Sequence, residues 1–157
     1  MMQWAIQLTA AVLASGALLL PAMSYSSEDG IFDQPITVHK SRTCRCCNAW
    51  IRHMRNEGFF NTSGKNENNL SQIKVKYGVK GPLQSCHTAV IDGYIIEGHV
   101  PASDIKRLLK ERPNVVGLTA PGMPQHSPGM QPEGLPPKGY DVLSFDENGK
   151  VDVFQRY

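Results

Sequence analysis

The sequence predicts a mixed α/β domain: a central mixed sheet with flanking helices, followed by a proline-rich arm and a C-terminal β-hairpin. Three observations carry that reading. Short apolar–polar alternations recur between segments of helical periodicity. Glycines stop those helical segments at Gly58 and Gly78. A cluster of cysteines sits where the first strand gives way to the first helix. The length of 157 residues suits one domain with a real hydrophobic core.

The elements follow in order. Ile36-Thr37-Val38-His39 alternates and reads as a short strand. Ser41-Arg42-Thr43-Cys44 breaks the pattern. Residues 48–57 read as a helix, with Trp50, Ile51 and Met54 on one face. The polar stretch 61–69 reads as a loop. Residues 70–77 form a second helix with Leu70, Ile73 and Tyr77 on one side. Thr88-Ala89-Val90-Ile91 and Tyr94-Ile95-Ile96-Glu97 are strands joined by the two-residue turn Asp92-Gly93. Gly98-His99-Val100-Pro101 connects to a third helix, opened by Pro101 or Ser103 and running to Lys110, whose apolar stripe is Ile105, Leu108 and Leu109. Strand, helix, helix, hairpin and helix, with cysteines at the first strand-to-helix turn, resemble a thioredoxin-like α/β fold.

From 113 to 138 the composition shifts. Six prolines fall between Pro121 and Pro137, interleaved with Gly, Met and His, which predicts an extended arm. Residues 140–157 read as a hairpin turning at Asp146-Glu147-Asn148-Gly149. At the other end, the apolar run from Ala10 to Leu20 is too short to span a bilayer, and the exit Pro21-Ala22-Met23-Ser24 carries small residues suited to signal cleavage. The expected division is a signal peptide over 1–24, a leader over 25–34, a metal-binding domain over 35–112, the arm over 113–138, and a hairpin over 139–157 packed on the domain. Export would place the mature chain, without a membrane span, in an oxidising compartment. A net charge of +2 with scattered basic residues argues against nucleic acid as a partner.

The chain has four cysteines: Cys44, Cys46, Cys47 and Cys86. Cys44-Arg45-Cys46-Cys47 holds a C-x-x-C pair, a C-x-C pair and an adjacent pair. Adjacent Cα atoms lie about 3.8 Å apart, whereas ordinary disulfides want roughly 5.5 Å. Three thiols in four residues therefore do not fit an ordinary disulfide framework, but they suit bridged soft ions. They are too crowded for a mononuclear zinc tetrahedron, which draws on separated pairs, and they match no iron–sulfur spacing. Cu(I), several ions per chain, is the expected metal. In the assumed topology Cys86 faces the other three from the loop entering the strand before the hairpin. Further ligands or supporting groups are expected among His87, His99, Met123, His126 and Met130. Thioethers and imidazoles are fair copper ligands, and an arm rich in proline and glycine offers Met123 and Met130 no helix to pack in. His39 and His53 read as surface or framework, and Met54 as core.

These residues bring a family into view. Cys44-Arg45-Cys46-Cys47 before Trp50, Gly78-Val79, Ser85-Cys86-His87-Thr88-Ala89, Gly93-Tyr94, Ile96-Glu97-Gly98-His99-Val100-Pro101-Ala102, Pro121-Gly122-Met123-Pro124 and Ser127-Pro128-Gly129-Met130 together resemble the CopG-like family of periplasmic copper-resistance proteins. The resemblance covers roughly residues 36–130. It implies a thioredoxin-like fold, a cysteine-bridged copper cluster at the positions matching Cys44, Cys46, Cys47 and Cys86, and a role in copper tolerance in a Gram-negative envelope. Two positions depart from the pattern. Arg45 replaces a usual Gly, where its charge would lower thiol pKa values or its bulk close the site. His126 stands where a small residue is common and could add a ligand.

The expected function is an exported, periplasmic protein that holds Cu(I) in a multinuclear thiolate cluster for copper resistance or homeostasis. Copper redox conversion and exchange with other periplasmic copper-handling proteins would accompany it. It is not expected to be a conventional enzyme. The alternative is a periplasmic thiol–disulfide oxidoreductase using Cys44 and Cys47. A passive docking domain leaves the adjacent cysteines unexplained.

Overall fold

A computed structural model describes residues 32–157; the expected signal peptide and most of the expected leader lie outside the described residues. The elements are β1 (Ile36–Lys40), α1 (Arg45–Asn56), β2 (Thr62–Asn66), α2 (Leu70–Lys76), β3 (His87–Ile91), β4 (Tyr94–Gly98), α3 (Ala102–Glu111), β5 (Gly117–Ala120), β6 (Asp141–Phe145) and β7 (Val151–Arg156). A 3-10 turn at Gly81–Leu83 precedes β3. The seven described strands form one mixed sheet in the order β2-β1-β3-β4-β5-β6-β7. β1 with β2 and β4 with β5 are parallel; the other neighbours are antiparallel.

Each parallel pair is a βαβ crossover, one over α1 and one over α3, as parallel neighbours require. The apolar stripes of both helices enter one core. Trp50, Ile51 and Met54 of α1 meet Ile105, Leu108 and Leu109 of α3 over Val38, Ala89, Ile91, Ile96 and Leu118. The alternate strand residues Val90 and Ile95 face the other side, against Tyr77, Val79 and Leu83. The sheet is thus covered by α1 and α3 on one face, and by α2 and the 3-10 turn on the other.

Two strands differ from the sequence expectation. The stretch 61–69, read as a loop, contains β2. Its residues are polar because it is an edge strand held by backbone pairing to β1, with only Thr62 buried. The arm read as irregular from 113 begins with β5, whose four residues are all buried. That short apolar run is bracketed by Pro113 and Pro121, and composition hid it. Through β5 the terminal hairpin extends the same sheet, and Arg107 of α3 donates to the Phe154 carbonyl at 2.8 Å, tying β7 back to the domain. The turn Asp92-Gly93 has φ of 46° and 84°, the left-handed pair that a tight hairpin demands. Among the described residues no helix is long and apolar enough to cross a membrane.

Candidate metal centre

The centre lies at the N-terminus of α1, on the α1 face of the sheet. Cys44 is the N-cap residue, and its sulfur accepts from the Cys47 amide at 3.3 Å. This places the 44–47 turn at the positive end of a helix. Cys47 is buried, Cys44 and Cys46 are half-buried, and Arg45 points into solvent. Cys44 and Cys47 are joined in a disulfide with Cα atoms 5.4 Å apart. Cys46 and Cys86 are free thiols.

Cys86 arrives from the other side of the site, one residue before β3. The four sulfurs lie within 4.8 Å of one another. Cys44 and Cys46 sulfurs are 3.4 Å apart, and Cys47 sulfur is 3.7 Å from the Cys86 carbonyl oxygen. Burial, reinforced by Cys46 beside it, pushes the Cys86 thiol up to about 12. Cys86 is therefore a protonated thiol at neutral pH, and a metal bound there would have to displace the proton.

Two histidines attend Cys86. His99 Nε2 is 2.9 Å from its sulfur, and His99 Nδ1 donates to the Pro128 carbonyl at 2.7 Å. That second bond fixes the tautomer and leaves Nε2 unprotonated toward the sulfur. His87 Nδ1 is 3.4 Å from the same sulfur, and its ring packs against Trp50 with centroids 4.6 Å apart. Burial holds both imidazoles below their usual range, so both are neutral, the form that binds metal. Cys86, His87 and His99 form a second set with ligand atoms within 4.8 Å. His87 Nε2 is buried with no hydrogen-bond partner among the described residues. The donor set as a whole, thiolates with neutral imidazoles, fits a soft or borderline ion such as copper.

The arm closes over this centre through its backbone. Gly122 accepts from the Ser85 hydroxyl and donates its amide to Gln84 at 3.0 Å. Gly129, at φ 84°, presses on the first turn of α1; a Cβ there would lie 2.7 Å from Trp50 N and 2.9 Å from Cys46 O. Only glycine fits at such an approach. The arm's side chains are another matter: Met123 and His126 are exposed and Met130 is half-buried, and His126 belongs to neither ligand set. His39 pairs with Glu67 at 2.7 Å, and His53 accepts the Ala102 amide at 3.1 Å at the start of α3. Both are framework.

Sequence reasoning missed two supports. Trp50 was read only as helix core, yet its indole donates to the Val100 carbonyl at 2.8 Å while its ring seats His87. Behind the sheet, Glu97 accepts from Lys74 at 2.5 Å, from the Ser85 amide at 2.6 Å and from the Thr88 hydroxyl at 2.7 Å. Burial pushes the Glu97 carboxyl up, against the pull of Lys74. The available signal was Lys74 itself, a lysine bordering the face that Leu70, Ile73 and Tyr77 define.

Comparison with known proteins agrees with this geometry. Residues 83–130 match a family model described as a protein of unknown function, DUF411. No curated protein matches the chain. Two solved structures titled copper resistance protein copG match it. Form 2 is 40% identical with a TM-score of 0.72, over 79% of this chain and 98% of the other. Form 1 is 41% identical with a TM-score of 0.71, over 78% and 96%.

Proposed function

Because the chain belongs to the family of the copper resistance protein CopG, we propose that it is an exported copper-binding protein holding several Cu(I) ions in a cluster bridged by Cys44, Cys46, Cys47 and Cys86. The observation that carries this reading is the convergence of four sulfurs within 4.8 Å of one another. Metal–thiolate bonds of about 2.3 Å let sulfurs at such spacing share ions between them. The disulfide is the oxidised form of the site; its reduction restores all four donors. His99, fixed by Pro128, and His87 are the nearest additional donors. Met123, His126 and Met130 would serve capture from solvent rather than the cluster.

Copper redox conversion follows from the same groups. Oxidising the Cys44 and Cys47 thiols to the disulfide releases two electrons and two protons, enough to reduce two Cu(II) ions to Cu(I). We read the β1-α1-β2-α2-β3-β4-α3 unit as thioredoxin-like. Its support is the order of its strands and a C-x-x-C at the N-terminus of α1. The signal-like segment supports a periplasmic location, where other copper-handling proteins are the natural donors and acceptors.

The test is an anaerobic Cu(I) titration of the fully reduced mature chain beside Cys86→Ser. Three to four tightly bound ions, with a large loss in the variant, are expected. One ion or none, unchanged in the variant, sinks the cluster. The second reading, thiol–disulfide exchange, is favoured by the Cys44–Cys47 disulfide at a helix N-terminus. Efficient insulin reduction by the metal-free chain would move the assignment there.

A further inference from the structure

The fourth thiol reaches the site by a route quite different from the other three. Cys44, Cys46 and Cys47 share one helical turn, so the helix itself sets their spacing. Cys86 sits in a turn before β3, and something must hold that turn against α1. On the α1 face the Cys86 carbonyl oxygen meets the Cys47 sulfur at 3.7 Å, and the Gly122 amide of the arm donates to the Gln84 carbonyl at 3.0 Å. On the opposite face stands Glu97, with its side chain fully buried.

Glu97 grips the segment on both sides of Cys86. One carboxylate oxygen accepts the amide of Ser85, the residue just before Cys86, at 2.6 Å. The other accepts the hydroxyl of Thr88, two residues after it, at 2.7 Å. Thr88 and Glu97 are also direct cross-strand partners of β3 and β4. Lys74 balances the charge, at 2.5 Å from Glu97 and 3.2 Å from the Thr88 hydroxyl. A buried ion pair is by itself weak evidence for anything beyond packing, since apolar replacements are often neutral. What singles this pair out is the Ser85 amide: a main-chain donor of the Cys86 turn, satisfied by a side chain from behind the sheet.

We propose that Glu97 is a positioning residue for the metal centre: by accepting the Ser85 amide it holds the turn that presents Cys86 to Cys46. Lys74 makes the buried carboxylate tolerable and has no direct part in the placement. The proposal deepens the copper reading, because Cys86 is the fourth ligand of that site, but its test uses no copper. Failure here therefore leaves the copper reading standing, and failure of the copper titration leaves this one standing.

The experiment separates the amide clamp from the ion pair. In a Cys44→Ser/Cys47→Ser parent, Cys46 and Cys86 are the remaining thiols. Diamide joins them in a disulfide, taking two electrons and two protons, and mass spectrometry follows the rate. Two charge-free variants of similar volume are compared in that parent. Lys74→Met/Glu97→Gln keeps an oxygen for the Ser85 amide; Lys74→Met/Glu97→Leu does not. The glutamine variant should close within about twofold of the parent and the leucine variant about tenfold more slowly, since a small misplacement of reacting groups costs at least that much. Equal rates in the two variants overturn the proposal, whether both are fast or both slow. Should the leucine variant fail to fold, amide exchange decides. Ser85 N–H protected about a hundredfold in both parent and glutamine variant supports the clamp. An unprotected Ser85 amide overturns it.

Discussion

The two halves of the metal centre are built on opposite principles. The 44–47 turn is local: one helix start holds three sulfurs, and two of them are close enough in Cα spacing, 5.4 Å, to pair as a disulfide. The Cys86 turn is held from afar, by Glu97 behind the sheet, Gly122 in the arm and a buried His99 braced on Pro128. The helix-turn half carries the disulfide. The Cys86 half is desolvated, protonated and ringed by neutral imidazoles. The lesson is that local sequence decides which sulfurs can bond to one another, and tertiary burial decides which thiol is held protonated.

That contrast can be sharpened by experiment. The largest effect expected is on Cys86 reactivity. With the disulfide intact and no metal, its thiol at about 12 against an ordinary 9.0 leaves about a thousandfold less thiolate near neutral pH. Alkylation of Cys86 should be very slow at pH 8 and climb with pH toward about 12; ready modification at pH 8 would erase the difference between the halves. The same shift sets a stability trend. The unfolded thiol ionises near 9 and the folded one near 12, so the stabilisation is whole below about 9 and is lost as pH rises through that window.

Next comes Trp50→Ala. Trp50 is wholly buried, spans both halves through His87 and Val100, and leaves a cavity when truncated. A loss of about 3–5 kcal/mol in urea unfolding is expected. Gly129→Ala tests the arm's hold on α1. Its Cβ meets backbone rather than a movable side-chain end, at a left-handed φ, so about 1–3 kcal/mol should be lost. The smallest effect belongs to His126→Ala. That side chain is exposed, and the change should alter stability by less than about 0.5 kcal/mol. A larger loss would show that the arm's side chains, and not only its backbone, secure the site.

Much of this was legible beforehand. Helical periodicity located α1, α2 and α3 to within a few residues, because each must bury a stripe. Asp92-Gly93 marked its hairpin because few residues tolerate two successive left-handed conformations. β2 escaped because an edge strand needs only backbone pairing and its side chains carry no pattern. β5 escaped because four buried residues amid prolines are too short to show a period. Of the site residues, His99 was flagged without a partner, whereas Trp50 and Glu97 were not connected to the centre at all.

What the sequence determined by itself was the chemistry: four thiols, three of them crowded into one helix turn, with soft and imidazole donors close behind. Spacing along one turn is a covalent and helical constraint, so it can be read without a fold. Tertiary structure alone decided that Cys86 completes the set, that His99 aims its free nitrogen at that sulfur, and that Lys74 and Glu97 lie buried beneath it. Those placements join residues between 12 and 39 positions apart, and only the pairing of β3 with β1 and β4, sealed by burial, brings them together.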